Sequence, residues 1–145
     1  MLLVLFVVGT ASRSYISRHK RLKAYTETDF ELLLSLLSAG KETVVTPNTL
    51  TETSNLIRQI GEPAKSHISE VFSRLVSAID ETYVPSKRAI ERSEFRAIGL
   101  TDSALLEILS VAHFLLTADL DLYLTALAQG VPAGNFNHIR EPYLS

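Results

Sequence analysis

Four acidic residues stand at the predicted starts of helices, or one turn further on. They are Glu52, Asp102, Asp119 and Asp121. Groups of Asp and Glu without His or Cys suit hard cations, above all Mg²⁺ and Mn²⁺, and such ions support phosphodiester hydrolysis. Each acid also has a simpler explanation, because a carboxylate near the beginning of a helix complements the helix dipole. The acids therefore indicate a metal site only if the fold brings them to one place.

The stretch 113–121 decides where such a site would lie. Its apolar run ends in Thr117, Ala118 and Asp119, and a helical pattern follows. A run this short, with helical patterns on both sides, is typical of a buried parallel strand. In open α/β sheets, ligands bind at the carboxyl ends of the strands. We therefore expect Asp119 at the centre of any catalytic site, with other acids converging on it.

The composition fits one globular domain over residues 1–145. The chain has no Cys, which excludes a disulfide framework, a thiolate zinc site and a Cys nucleophile, and fits a cytoplasmic location. The net charge is −2, yet residues 1–25 carry five basic side chains and no acid, whereas the remainder carries nine basic and 16 acidic ones. This asymmetry fits a polyanion approaching an acidic site, and equally an ordinary solvated segment.

Helical and extended patterns alternate along the chain. Short strands are predicted at about 43–45, 113–117 and 131–134, and 82–85 reads as a very short strand or an extended link. The predicted helices begin at a capping box formed by Thr28 and Glu31, at Thr46-Pro47, at Pro63, at Ser86, at Thr101 and at Asp119, and they end near Gly40, Ile60, Ile79, Arg96, Leu109 and Gln129. This alternation predicts an α/β sandwich with a short, mostly parallel central sheet.

The amino-terminal run Leu2–Val8 is apolar and is interpreted as a core segment. It is far shorter than the roughly 20 residues that span a bilayer. No positive charge precedes it, as a secretory signal would require. We therefore expect no membrane association. Residues 9–23 read as a polar, basic connection.

Other common catalytic motifs are absent from the sequence. There is no glycine-rich phosphate loop of the dinucleotide or Walker type, and no nucleophile elbow for Ser-His-Asp catalysis. The four histidines, His19, His67, His113 and His138, lack the spacing of metal ligands. The acids are what remains to carry chemistry.

Three segments resemble the sequence motifs of PIN domains, in the family's order and spacing. Residues 44–56 resemble the strand and helix that carry the family's Glu, and here that residue is Glu52. Residues 99–105 resemble the segment with the next Asp, here Asp102. Residues 115–119 resemble the strand that ends in Thr or Ser, a small residue and Asp, here Asp119. The resemblance extends from about residue 25 to residue 141.

The resemblance implies a metal-dependent endoribonuclease, of a kind common among the toxins of toxin–antitoxin pairs. It implies Mg²⁺ or Mn²⁺ as the cofactor, with Glu52, Asp102 and Asp119 as catalytic ligands and Asp121 as a less certain fourth ligand. Thr117 is expected to position the attacking water, and an antitoxin protein and a second copy of the chain are the implied partners. The candidate contacts to RNA are Arg13, Arg18, Lys20, Arg21, Lys23, Asn135, Asn137 and Arg140.

The chain departs from the family pattern at its amino terminus. PIN domains open with a hydrophobic strand that ends in Asp, whereas Leu2–Val8 resembles the helix that follows that strand. We therefore expect the first strand and its Asp to be missing, through a truncated start or through loss. A second hypothesis follows: a catalytically impaired PIN-like module that binds RNA or a protein partner. The third is an α/β domain whose acids serve only as helix-start residues.

Overall fold

The computed structural model describes residues 1–40 and 42–144. It is rich in α-helix, with a few short parallel strands. The chain divides into two compact units. The first comprises Met1–Val45 and Thr49–Glu81, and the second comprises Thr46–Asn48 and the chain from Thr82 onwards. A single domain over residues 1–145 stays a prediction from the sequence.

The first unit is mostly helical. Its elements are α1 (Leu2–Ala11), α2 (Ser14–Arg18), a 3₁₀ turn (Lys20–Leu22), α3 (Glu27–Ser38), β1 (Val44–Val45), α4 (Pro47–Ile57, of which the first two residues belong to the second unit), α5 (Ala64–Ala78) and β2 (Asp80–Glu81). Strands β1 and β2 pair in parallel, with Val44 opposite Asp80 and Val45 opposite Glu81.

Helix α1 forms the core of this unit, as the apolar run Leu2–Val8 predicted. Val4, Leu5, Val7 and Val8 are each at most 1% exposed. The helix packs against α5, α3 and α2, which explains why it can be apolar all round. Within the described residues, no helix is both long enough and apolar enough to cross a membrane.

The start of α3 was predicted two residues too late. Its N-cap is Thr26, whose hydroxyl accepts a hydrogen bond from the Asp29 N–H at 3.3 Å, while the Asp29 carboxylate accepts from the Thr26 N–H at 2.9 Å. This is the reciprocal capping box expected for Thr28 and Glu31, built from the earlier pair of residues. Glu31 instead forms an ion pair with Arg13.

Three other boundaries in the first unit differ from prediction. Residues 9–23 are not a plain connection, because α1 continues to Ala11 and α2 and the 3₁₀ turn follow. Helix α4 ends at Ile57, before Ile60. The second strand lies at Asp80–Glu81, immediately before the segment 82–85 that the sequence suggests as a very short strand or an extended link.

The second unit places helices beside a parallel strand pair. Its elements are α6 (Ser86–Ala89), α7 (Phe95–Ile108), β3 (Leu115–Thr117), α8 (Leu120–Ala128), β4 (Ala133–Asn135), α9 (Phe136–Arg140) and a 3₁₀ turn (Glu141–Tyr143). Helix α8 packs on β3 and β4, and α7 packs on α8. The buried cluster between them comprises Leu106, Leu115, Leu122, Ala126 and Val131.

The long helix predicted over residues 86–96 is wrong. It is reduced to the four residues of α6, of which only Ala89 is buried. A polar segment without an apolar stripe gains little from packing, and packing is what sustains short helices. The Thr101 N-cap is also misplaced, because α7 begins at Phe95 and breaks at Gly99, with φ 85° and ψ −179°. Only glycine adopts that conformation readily.

The strands are parallel, as predicted, but within the described residues they form two separate pairs, β1 with β2 and β3 with β4. Strand β3 is shorter than predicted, since His113 and Phe114 precede it. The His113 ring instead accepts a hydrogen bond from the Ser110 N–H at 3.1 Å, which closes a turn. Strand β4 begins two residues later than predicted and ends at Asn135.

Candidate functional site

The carboxyl ends of β3 and β4 bring four predicted site residues together. The parallel register sets Leu115 opposite Ala133 and Thr117 opposite Asn135, so both strands end at the same level. Asp119 follows β3 by two residues, and Asn137 follows β4 by two residues. Side chains at the carboxyl ends of neighbouring parallel strands share one edge of the sheet, where ligands of α/β folds bind.

Asp119 is the N-cap of α8, with extended backbone angles (φ −92°, ψ 119°). Its Oδ1 accepts a hydrogen bond from the Leu122 N–H at 2.9 Å. This bond satisfies one of the free N–H groups at the start of the helix. Asp119 is exposed, and within the described part of the chain its Oδ2 has no hydrogen-bond partner. One carboxylate oxygen is therefore committed to structure and the other is open to a ligand.

Thr117 is buried at the end of β3. Its Oγ1 accepts a hydrogen bond from the Asp119 N–H at 3.0 Å. A threonine hydroxyl that accepts in this way still has its own proton to donate. Thr117 thus fixes the turn that carries Asp119, and it retains a donor for a water molecule or a phosphate oxygen.

Asn135 and Asn137 close the same edge from the β4 side. Asn135 is buried and caps α9, because its Oδ1 accepts a hydrogen bond from the Asn137 N–H at 2.9 Å. Asn137 is exposed, and its Nδ2 donates to the carbonyl oxygen of Ala118 at 3.2 Å. The Asn137 amide is therefore tied to the Thr117-Ala118-Asp119 turn.

The remaining predicted ligands lie on three different helices. Asp121 is exposed in the first turn of α8. Asp102 is half-buried on α7, three residues after the break at Gly99. Glu52 is exposed in the second turn of α4 and belongs to the first unit. Among residues 1–40 and 42–144, no three His, Asp or Glu side chains form a group that could hold a metal ion.

The candidate RNA contacts are also divided between the units. Arg140 is half-buried in the last turn of α9, in the second unit. The five residues Arg13, Arg18, Lys20, Arg21 and Lys23 belong to the first unit.

An ion-pair network in the second unit was not anticipated from the sequence. Glu107 on α7 accepts hydrogen bonds from Arg92 at 2.8 Å and from Arg88 at 2.9 Å. The Arg92 hydrogen bond and, less strongly, Arg88 lower the pKa of the Glu107 carboxyl, outweighing the effect of burial. Arg92 also donates to the side chain of Gln129 at 2.9 Å, and Gln129 donates to Glu94 at 2.5 Å. The partners lie 15–37 residues apart, so no local pattern could reveal them.

Comparisons with protein-family models, curated protein sequences and solved structures found no match to this chain. The functional interpretation therefore depends on the residues and on the geometry described above.

Proposed function

We propose that the chain is a PIN-like endoribonuclease that uses Mg²⁺ or Mn²⁺ to cleave RNA phosphodiester bonds, as the toxin of a toxin–antitoxin pair. The observation that carries the proposal is the edge formed by β3 and β4. There the Thr117-Ala118-Asp119 motif ends a parallel strand, Asp119 exposes an oxygen with no partner in the described chain, and Asn137 is tied to the same turn. An antitoxin and a second copy of the chain are the proposed protein partners.

The oxygen donors at this edge are of the type that binds a hard divalent cation, but too few acidic side chains of the described residues are grouped there to form a complete site. An exposed carboxylate oxygen is the donor that Mg²⁺ and Mn²⁺ prefer. However, the described residues present no group of three acids, so a preformed cage is not part of the proposal. Asp119 would be the main ligand, and Asp102 and Asp121 are further ligands proposed from the same unit. Glu52 stays a prediction from the resemblance. When bound, the ion would neutralise phosphate charge and make water more acidic.

The neighbouring side chains would orient the RNA. Asn137 uses one of its two N–H groups on the Ala118 carbonyl. The second N–H can donate to a phosphate oxygen, which is the commonest kind of contact between proteins and nucleic acids. The Thr117 hydroxyl can donate to the attacking water, because the Asp119 N–H occupies only its acceptor side. Both donors are fixed by backbone bonds and therefore need little reorganisation.

A second candidate function is supported by the cap at Asp119. Because Oδ1 bonds the Leu122 N–H, the acid would be required for α8 even in a chain without catalysis. The alternative is a PIN-like module without nuclease activity that binds RNA or a protein partner.

The deciding experiment measures Mn²⁺-dependent cleavage of a mixed RNA substrate by the chain and by an Asp119→Asn variant. Asparagine is as good an N-cap as aspartate, so the variant should keep α8 while losing the carboxylate. Asp80→Asn is the matched control, since Asp80 is an exposed aspartate on β2. Cleavage that requires Mn²⁺ and Asp119, but not Asp80, would support the nuclease. Equal cleavage by the chain and by Asp119→Asn, or no cleavage by well-folded protein, would exclude it.

A further inference from the structure

The end of α2 and the turn that follows it present a dense group of basic side chains in the first unit. We call Arg18, Lys20, Arg21 and Lys23 the basic turn; all four are exposed. Among residues 1–40 and 42–144, no carboxylate pairs with any of them. Arg13, the fifth basic residue of this segment, is different because it pairs with Glu31 and lies over the Phe30 ring, 5.5 Å from its centroid. The four cations of the basic turn are therefore available to a ligand, whereas Arg13 is engaged with Glu31 and Phe30.

His19 holds the basic turn in place from inside the unit. The side chain is fully buried. Its Nδ1 accepts a hydrogen bond from the Arg21 N–H at 3.2 Å, and its Nε2 lies 3.2 Å from the carbonyl oxygen of Ile57. Because Nδ1 accepts, the proton of the neutral ring must lie on Nε2, which donates to Ile57. One imidazole therefore links the backbone between Lys20 and Leu22 to the end of α4.

Two further contacts fix individual side chains of the basic turn. Arg21 Nε donates to Gln59 Oε1 at 2.9 Å, which leaves the terminal nitrogens of its guanidinium pointing away from this bond. The Arg18 guanidinium lies 5.3 Å from the centroid of the Tyr15 ring. Ordering these long side chains beforehand reduces the entropy that a ligand would otherwise have to overcome.

The apolar residues of this segment face inward. Ile16 is 1% exposed and Leu22 is 0% exposed. A segment that binds in the interface of a membrane needs an exposed apolar face beside its cations, and α2 with its following turn offers none. Exposed cations on an ordered backbone, without apolar neighbours, match a chain of phosphates instead.

We propose that the basic turn binds the phosphate backbone of single-stranded RNA, independently of any divalent ion. The choice of RNA among polyanions rests on the proposed endoribonuclease function. The binding is electrostatic and does not depend on sequence, because the group offers cations and no arrangement for reading bases. His19 is its positioning residue.

The test measures RNA binding in EDTA, where metal-dependent cleavage cannot occur. A fluorescently labelled single-stranded RNA of mixed sequence is titrated with the full chain and with the triple variant Lys20→Glu, Arg21→Glu, Lys23→Glu. Each lost phosphate contact lowers the slope of log affinity against log salt by about 0.7 for single strands. We expect the triple variant to lose about two units of that slope and at least about tenfold in affinity at about 50 mM salt.

A matched control changes the net charge equally elsewhere. The variant Lys65→Glu, Lys87→Glu, Arg96→Glu reverses three cations that lie outside the basic turn; Lys87 and Arg96 are exposed and Lys65 is half-buried. This variant should keep most of the affinity and the salt slope. Equal losses in both triple variants would overturn the proposal, since they would reflect net charge alone. Binding to phosphatidylserine vesicles without binding to RNA would also overturn it. Because EDTA removes catalysis, RNA binding by the basic turn can succeed while the nuclease assay fails, and the reverse.

Discussion

The hydroxyl oxygen of Thr117 accepts a hydrogen bond from the Asp119 N–H at 3.0 Å, so these two candidate site residues are coupled through one turn. The same turn receives the Asn137 amide at the Ala118 carbonyl. Thr117 therefore stabilises this turn whether or not it also positions a water molecule. The residues of the motif hold each other in place before any ligand arrives.

Asp119 should show separate structural and chemical roles. Asp119→Ala removes the cap on the Leu122 N–H and should lower the free energy of unfolding by about 1 kcal/mol. Asp119→Asn retains a capping oxygen and should change stability by less than half of that. Urea denaturation measures both variants, and the Mn²⁺-dependent cleavage assay is then run on the same samples. We expect cleavage to be lost in both; activity that follows stability would show that the acid acts only as a cap.

His19 should make the fold sensitive to mild acid. Burial lowers its pKa, and the positive charges of Arg21 and Lys20 add to the effect. The unfolded chain therefore takes up a proton near the ordinary histidine pKa, whereas the folded chain does not, so stability is full above about pH 6.5 and falls as the pH drops below it. Between the two pKa values the slope approaches about 1.4 kcal/mol per pH unit.

The measurement is urea denaturation from about pH 7.5 down to about pH 5. His19→Gln should be less stable at neutral pH and should lack this part of the pH dependence. His67→Gln is the control, because His67 is exposed and its removal should leave the slope in place. A wild-type slope that persists in His19→Gln would assign the effect to another group.

The Glu107 network should stabilise the second unit more than an ordinary surface ion pair does. Glu107 and Arg92 are only 19% and 20% exposed, whereas Arg74 and Glu70 are 73% and 62% exposed. Glu107→Gln leaves Arg88 without its counter-charge and leaves Arg92 with Glu94 alone, whose Oε2 lies 3.3 Å from Arg92 Nε. We expect this variant to lower the free energy of unfolding by about 1–2 kcal/mol. Glu70→Gln removes an exposed pair and should cost less than about 0.5 kcal/mol.

Low pH should remove the stabilisation that the Glu107 network provides. Because Arg92 lowers the pKa of Glu107, the folded state favours the carboxylate, and this stabilisation is present above the usual glutamate pKa and is lost as the pH falls below it. Denaturation of wild type and Glu107→Gln between about pH 6 and pH 3 tests this. The two curves should converge at low pH; parallel curves would contradict the assignment.

Local sequence signals predicted elements better than boundaries. The Asp119 cap, the end of α8 shortly before Gly130 and the parallel strand at Leu115–Thr117 all follow from short patterns. The start of α3 was misassigned because Thr26 and Thr28 each have an acid three residues later, and the burial of Asp29 decides between them. A sequence alone does not provide that burial.

The candidate site was predictable only in part, because sequence alone does not provide the burial and the tertiary contacts of its residues. Thr117 and Asp119 lie within three residues, and Asn137 reaches their turn because β4 pairs with β3 in a register that local sequence does not specify. The resemblance placed Glu52, Asp102 and Asp119 in one ligand set. A ligand set depends on side-chain positions, and no group of three such side chains that could hold a metal ion occurs among the described residues. The support of Arg21 by His19 depends on burial and was equally hidden.

Gly9 should be the glycine that is least tolerant of a side chain. A Cβ at this position would overlap the ring of Phe30, which is itself only 3% exposed and has little room to move. Alanine favours a helix over glycine by roughly 1 kcal/mol, yet overpacking a buried site costs typically about 1–3 kcal/mol. Because the overlap is with a buried ring, we expect Gly9→Ala to lower the free energy of unfolding by about 1–2 kcal/mol.

Gly61 provides the matched control, since a Cβ there would meet nothing within 4 Å. Gly61→Ala should therefore be neutral, or stabilising by up to about 1 kcal/mol through the unfolded state. Adding Phe30→Leu to Gly9→Ala should recover part of the loss, because the smaller side chain makes room for the new methyl group. In wild type, the same Phe30→Leu change should only destabilise, since it leaves a cavity beside α1. Thermal unfolding of the four variants measures this coupling, and additive effects would show that Gly9 and Phe30 do not limit each other.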